Sequence, residues 1–86
     1  MTTRTYKLTV TTEVQPLCAA DPKRKEIQVF NLGGGTVCIL SAQNQTWNDG
    51  YPVYETVPFK SNECKDRLWI VKDESSSDVR VMIVSE

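Results

Sequence analysis

Short bursts in which every second residue is apolar are the feature that most limits the folds open to this chain. In residues 78–86, DVRVMIVSE, the side chains of Val79, Val81 and Ile83 face one way and those between them face the other. Successive side chains of a strand point to opposite faces, so a period of two is typical of β-structure. No segment carries apolar residues at the helical period. The pattern therefore predicts an all-β protein.

Six strands are predicted, and polar segments or segments containing glycine and proline separate them. Residues 15–22, QPLCAADP, are predicted to form a loop, and so are residues 41–52. The glycines at 33–35 are predicted to turn the chain in a hairpin between the strands on either side of them. The predicted strands are residues 5–14, 25–31, 36–40, 53–59, 67–73 and 78–86.

The strand spacing predicts one domain over residues 1–86, a small antiparallel β-sandwich or jelly-roll-like barrel of six to eight short strands. Residues 1–7, MTTRTYK, are polar and rich in threonine, which makes them a candidate extended N-terminal arm. An arm of this kind can add a strand to the sheet edge of a neighbouring molecule.

The cysteines and the length of the chain bear on how the fold is stabilised. A chain of 86 residues has a small core, and chains of this size often gain stability from disulfides, a metal or partner subunits. Cys18, Cys38 and Cys64 do not make an even disulfide framework, and there is no histidine to complete a four-ligand zinc site. We therefore expect no metal and no cofactor, and we expect association with further copies of the chain.

The same residues give little support to catalysis. Without histidine, none of the three thiols has the usual general base beside it. The acidic residues fall in no spacing that forces two carboxylates together, as hydrolysis by a carboxylate pair would need. We expect no catalytic residues, and we do not expect an enzyme.

Charge and hydropathy favour neither nucleic acid nor a membrane as a partner. The net charge is −1, and the one basic cluster, PKRK at residues 22–25, is flanked by Asp21 and Glu26. A solvated turn explains it better than a phosphate contact. The longest apolar run, VMIV, is too short to span a bilayer, and no apolar leader is seen at the start. We expect the chain to stay in the cytoplasm until it is assembled into something.

Two further features point to covered surfaces. The stretches LWIV and VMIV are apolar on both faces, so either a loop of the chain or another subunit is expected to cover the second face. Trp47 stands in a polar segment, where it is either a plug on the end of the sandwich or a contact residue for a partner.

Residues 19–39, AADPKRKEIQVFNLGGGTVCI, carry a resemblance to a known family. They are similar to the pattern A-A-N/D-P-x-R-x-x-I-x-I-x-N-x-G-x-x-x-V-Y-I, which recurs in small β-structured proteins of tailed bacteriophages, of the capsid decoration (cement) or head-fibre type. The likeness extends more loosely over residues 17–86. It departs from the family at Pro58-Phe59 and in SNECKDR, residues 61–67. The matching positions are Ala20, Pro22, Arg24, Ile27, Val29, Asn31, Gly33, Val37 and Ile39.

The resemblance implies a virion protein that decorates and cements the capsid surface. The implied partners are the major capsid protein and further copies of the chain, with a trimer favoured, and the implied locations are the host cytoplasm during assembly and then the virion. Arg24 would tie neighbouring loops, Asn31 would close a strand, and Gly33, Gly34 and Gly35 would form the turn. The contact residues that we expect are Trp47, Tyr51, Tyr54, Thr5 and Tyr6.

Two alternatives remain open from the sequence. One is a head–tail or tail accessory protein, present at low copy number in the same kind of particle. The other is a soluble binding module, such as an inhibitor of a host protein or a sugar-binding domain. The second alternative predicts a monomer with an exposed Trp47.

Overall fold

The computed structural model describes residues 1–33, 35–55 and 57–86. Across these residues there are eight strands and no α-helix, which confirms the predicted all-β class. A 3₁₀ helix, Trp47–Asp49, lies between the fourth and fifth strands. The strands are β1 (Thr2–Val10), β2 (Gln15–Cys18), β3 (Arg24–Asn31), β4 (Thr36–Leu40), β5 (Tyr51–Tyr54), β6 (Phe59–Ser61), β7 (Leu68–Lys72) and β8 (Ser77–Ser85).

The strands form two four-stranded antiparallel sheets, and their order identifies the topology. The first sheet has the order β1-β8-β3-β6 and the second has the order β2-β7-β4-β5. Two facing four-stranded sheets with these strand orders make a jelly roll, which is built from two Greek keys. Of the two architectures that the sequence left open, the sandwich of jelly-roll type is the one observed.

The core lies between the two sheets and follows the alternation of the sequence. In β8, Val79, Val81 and Ile83 face inward and are at most 6 % exposed. Ile27 and Val29 of β3 lie beside them and are fully buried. Burying such side chains contributes roughly 1.5–3 kcal/mol each relative to leaving them exposed. The inward positions predicted for these two strands therefore form the centre of the core.

The predicted hairpin around the glycines is wrong. β3 belongs to the first sheet and β4 to the second, so the segment between them crosses from one sheet to the other. Each strand finds its partners elsewhere along the chain, β3 in β8 and β6, β4 in β7 and β5. A glycine turn is compatible with both connections, because it reverses the chain without specifying which strand pairs with which.

Two strand assignments also change. Residues 15–18, predicted as a loop, form β2, an edge strand in which Pro16 is tolerated because an edge position needs no further N–H donor. The predicted strand at 53–59, of which residue 56 lies outside the described residues, overlaps two short edge strands, β5 and β6, one in each sheet. Pro58 lies between them, as expected of a residue that cannot donate to a sheet.

The candidate N-terminal arm is a strand of the chain's own first sheet. Thr2 pairs with Ser85, and the antiparallel register continues without a break to the pair of Val10 and Ser77. Residues 2–7 are thus extended, as expected, but they are held by β8 and do not project as a free arm. Only the other side of β1 is left at the edge of the sheet.

The second apolar face of the LWIV stretch is covered by other residues of the same chain. Val71 of β7 is 3 % exposed, and together with Cys38 and Leu40 of β4 it forms a small cluster on the outer side of the second sheet. Val14 and Trp69 pack against this cluster. Of the two covers left open by the sequence, a segment of the chain itself is the one observed here.

Candidate functional site

Three of the predicted contact residues lie together around β5, the strand at one edge of the second sheet. Trp47 is 47 % exposed, Tyr51 is 62 % exposed and Tyr54 is 55 % exposed. Contiguous exposed apolar surface of this kind marks binding sites more often than isolated exposed residues do. We call the surface made by these three residues and Phe59 the aromatic edge.

The pleat of β5 divides the aromatic edge between two sides of the strand. Val53 faces the core and is 1 % exposed. Tyr51 faces the same way at the end of the strand, where its ring meets that of Phe59 in β6, with centroids 5.3 Å apart and planes at 63°. This edge-to-face arrangement is favourable for aromatic rings. Pro52 and Tyr54 face the outer side of the second sheet.

Trp47 is presented by a turn that is held through its own side chains. The Gln45 Oε1 atom accepts a hydrogen bond of 2.9 Å from the Ser41 N–H. The Asp49 Oδ2 atom accepts one of 2.9 Å from the Thr46 N–H, at the start of the 3₁₀ helix. These bonds satisfy backbone donors that a loop would otherwise leave to water. The indole is therefore displayed from an ordered turn.

Gly50 lets this turn approach β4 closely. A Cβ atom at Gly50 would lie 2.7 Å from Cys38 Cβ and 2.8 Å from Leu40 Cδ2. Both distances are too short for any side chain, so the residue that follows the 3₁₀ helix has to be glycine. The close approach seats the Trp47 turn against the outer side of the second sheet.

A groove of about 300 Å³ lies between the Trp47 turn and β5. The register of the sheet places three of the groove's lining residues side by side on neighbouring strands. Thr36 pairs with Tyr54, and Val37 pairs with Lys72, so Asp73 lies on the other side of Thr36 from Tyr54. Neighbouring strands are about 4.8 Å apart, which puts this aromatic residue and this carboxylate roughly 10 Å apart across the sheet. The groove is lined by Thr36, Cys38, Trp47, Asn48, Gly50, Pro52, Tyr54 and Asp73.

The buried thiols are not activated as nucleophiles. Burial raises the pKa of the Cys38 thiol, and the Asp73 carboxylate raises it further. Burial also raises the pKa of the Cys18 thiol, although the Arg24 guanidinium acts in the opposite direction. Both therefore stay protonated at neutral pH, and a thiol is a much weaker nucleophile than a thiolate. The described part of the chain contains no cluster of three or more acidic or cysteine side chains that could hold a metal ion.

Thr5 and Tyr6, the two other predicted contact residues, are on β1 and not at the aromatic edge. Thr5 is exposed on the outer face of the first sheet, where it pairs with Met82. Tyr6 is half-buried: its hydroxyl donates a 2.6 Å hydrogen bond to the Leu17 carbonyl oxygen, and the Arg4 guanidinium lies 5.3 Å from its ring centroid. A role for these two residues in binding stays a prediction.

Arg24 lies away from the aromatic edge and holds three loop positions together. It is 2 % exposed. Its guanidinium donates hydrogen bonds of 3.0 Å to the Ala19 carbonyl oxygen and of 2.8 Å to the Asp66 carbonyl oxygen. Two more, of 3.1 and 3.0 Å, go to the Cys64 carbonyl oxygen. Arginine suits this position because its planar fork presents several donors at once.

Asn31 and two of the glycines organise the crossing between the sheets. The Asn31 Nδ2 atom donates to the carbonyl oxygens of Gly35, at 3.0 Å, and Val53, at 3.2 Å, and its Oδ1 atom accepts from the Gly33 N–H at 3.1 Å. A Cβ atom at Gly33 would lie 2.9 Å from the Ser77 Cα atom, and Gly35 has φ of +87°. Gly34, also predicted to be structural, lies outside the described residues.

Asp73 was not identified from the sequence as a residue of the groove, and Phe59 was not identified as a residue of the aromatic edge. Asp73 reaches the groove through the pairing of β7 with β4, and Phe59 reaches the aromatic edge through the meeting of two edge strands from different sheets. One signal for the groove was present in the sequence. Residues 36–59 contain no lysine or arginine, so this stretch has only acidic charges.

Comparison of the chain with protein-family models, with curated proteins and with solved structures finds no match. Among the described residues, no helix has the length and apolar character needed to cross a lipid bilayer.

Proposed function

We propose that this chain is a structural protein of a tailed-bacteriophage particle, which decorates and cements the capsid surface as an oligomer. Its partners in this role are the major capsid protein and further copies of itself, with a trimer favoured. On this proposal the chain is in the host cytoplasm during assembly and on the virion afterwards, and it is not an enzyme.

One observation carries the binding part of this proposal. Trp47, Tyr51 and Tyr54 are all exposed around a single edge strand, Trp47 and Tyr54 on its outer side and Tyr51 beside Phe59 on the other. Aromatic side chains contribute a large share of the binding free energy at many protein interfaces. A small domain with such a surface is suited to binding a larger protein.

The assignment to a phage particle rests on the resemblance of residues 19–39. The jelly roll is compatible with it, because viral capsid proteins are among the proteins that use this architecture, and so are lectins and cupins. A fold alone does not specify a function. The contacts of Arg24 and Asn31 support the scaffold roles that the resemblance implies for them.

Cementing follows from mass action. A protein that binds the assembled shell but not its free subunits stabilises the shell by its binding free energy, summed over all occupied sites. Closed rotational symmetry is usual for homo-oligomers, and a trimer matches the three-fold points of a shell. Weak contacts through the aromatic edge would thus add up to a large effect over a whole particle.

The exposure of Trp47 favours a second candidate, the soluble binding module. Its indole is half-exposed in the single chain and lines a groove with Tyr54 and Pro52. A monomer could use this groove for a soluble ligand or protein. The low-copy head–tail or tail protein remains the alternative within the particle.

Quantitative mass spectrometry of purified particles from the source of this chain tests the proposal. Copies of the chain are counted against the major shell protein. Hundreds of copies are expected for decoration, whereas about a dozen or fewer would move the chain to the portal or tail. Complete absence, together with a sedimentation mass of one chain, would overturn the virion assignment in favour of the soluble module.

A further inference from the structure

The groove beside the aromatic edge combines two exposed rings with one carboxylate. Trp47 and Tyr54 line it from the turn and from β5, and Asp73 lines it from the end of β7. Asp73 is exposed, and its Oδ1 atom accepts a 2.9 Å hydrogen bond from the Glu74 N–H. One carboxylate oxygen is thus used to shape the turn, while the negative charge remains at the groove.

The charge on the lining of the groove is negative. Asp73 is the only charged residue among those that line it, and the 24 residues from 36 to 59 include no lysine or arginine. Asp49 and Glu55 lie within this stretch. Lys72 is adjacent to Asp73 in sequence, but it is buried and its Nζ atom donates a 2.6 Å hydrogen bond to Ser77 Oγ.

This combination selects among ligand classes. A cation is attracted to the faces of tryptophan and tyrosine rings by their quadrupoles, and it is also attracted to a carboxylate. An anion is repelled by both. A neutral sugar can stack on the rings and donate hydroxyl hydrogen bonds to the carboxylate, but it forms neither an ion pair nor a cation–π contact. The groove, at about 300 Å³, is large enough for the end of one long side chain.

We propose that this groove binds a lysine or arginine side chain of a protein partner. The rings of Trp47 and Tyr54 contact the cationic group, and the Asp73 carboxylate pairs with it. This inference deepens the proposed function, because it names the chemistry that the partner presents to the aromatic edge. It is tested with a small probe, so its failure leaves the copy number in particles as a separate result.

The probe is N-acetyl-arginine amide, which carries one positive charge, and the reporter is the fluorescence of Trp47. The measurement uses the full chain with Trp69→Phe, which leaves Trp47 as the only tryptophan and keeps a ring in the outer cluster. A saturable change in fluorescence is expected with a Kd on the order of 10 mM, as for one cation in contact with two exposed rings and one carboxylate. The uncharged N-acetyl-glutamine amide is expected to produce no saturable change.

Asp73→Asn isolates the contribution of the charge. The amide oxygen of asparagine can still accept the hydrogen bond from the Glu74 N–H, so the turn is kept while the negative charge is lost. The expected result is binding of the arginine probe about two- to fivefold weaker. The matched control is Asp78→Asn, the same change on the first sheet, which is expected to leave the affinity unchanged.

Several outcomes would overturn the proposal. One is equal binding of the arginine and glutamine amides, and another is an affinity that Asp73→Asn does not weaken. Saturable binding of a neutral sugar such as cellobiose, with none of the arginine probe, would assign the groove to carbohydrate instead. An unchanged melting temperature of each variant shows that the groove, and not the fold, has been altered.

Discussion

Arg24 illustrates how a single residue decides the local structure at one end of the sandwich. Its guanidinium is almost fully buried, and it donates to the carbonyl oxygens of Ala19, Cys64 and Asp66. These carbonyl groups belong to two connections that lie more than 40 residues apart in the sequence. A buried carbonyl group without a donor costs about 1–3 kcal/mol. The one side chain therefore stabilises both connections.

Replacing Arg24 by lysine is expected to lower the free energy of unfolding by about 2–4 kcal/mol, because one ammonium group cannot reach all three carbonyl oxygens. The melting temperature should fall by roughly 10 °C or more, as measured by circular dichroism. The control, Arg80→Lys, changes an exposed residue of β8 and should alter stability by less than about 0.5 kcal/mol. An unchanged melting temperature with lost partner binding would contradict the scaffold role of Arg24.

At the scale of the elements, the four sheet edges differ in how well they are protected. Both edge strands of the second sheet contain proline, Pro16 in β2 and Pro52 in β5, and proline hinders the addition of further strands. In the first sheet, β6 is only three residues long, whereas β1 has nine residues and no proline. If a neighbouring strand adds to this molecule, β1 is the edge best suited to it.

Deletion of residues 1–7 is expected to destabilise the fold itself. It removes the pairing of Thr2–Lys7 with β8 and the packing of Tyr6 against the core. Loss of a packed aromatic side chain alone costs about 3–5 kcal/mol when it is fully buried, so a loss of at least about 2 kcal/mol is expected for this half-buried one. Thermal denaturation measures the effect, and deletion of Met1 alone is the control. A full-length melting temperature in the deletion variant would show that residues 1–7 are a detachable arm after all.

At the scale of the whole molecule, two buried thiols and one half-buried phenol make the free energy of unfolding decrease at alkaline pH. Burial raises the pKa values of Cys18 and Cys38 above 9.0 and that of Tyr6 above 10.0. When the folded state has the higher pKa, it binds the proton more tightly than the unfolded state does. The stability contributed by each such group is therefore complete below its pKa in the unfolded state, and it is lost as the pH rises through its pKa in the folded state.

The melting temperature, measured under reducing conditions, is thus expected to decrease once the pH exceeds about 9. In the double variant Cys18→Ala, Cys38→Ala the decrease between pH 8 and pH 10 should be smaller, whatever the melting temperature at pH 8. An equally steep decrease in the double variant would assign the effect to other groups. The comparison of slopes separates titration of the thiols from the packing change that the substitutions introduce.

The parts of the fold that could be predicted are those that depend on neighbouring residues. Alternation in residues 78–86 predicts a strand and the inward direction of Val79, Val81 and Ile83, because both follow from the pleat of one strand. β2 escaped prediction because four residues with a proline carry almost no alternation. The aromatic residues of the candidate site could be selected from their residue type, but their placement around one edge strand could not be predicted.

The amino-acid sequence by itself determined the all-β class, the inward residues of the long strands and the need for small residues near 33–35. Only the tertiary structure decided the rest. It paired β1 with β8 across the length of the chain, placed β3 and β4 in different sheets, and brought Asp73 beside the aromatic edge. The physical reason is that strand pairing uses backbone hydrogen bonds that every residue other than proline offers in the same way. The choice of partner is therefore made by how all the apolar faces pack together.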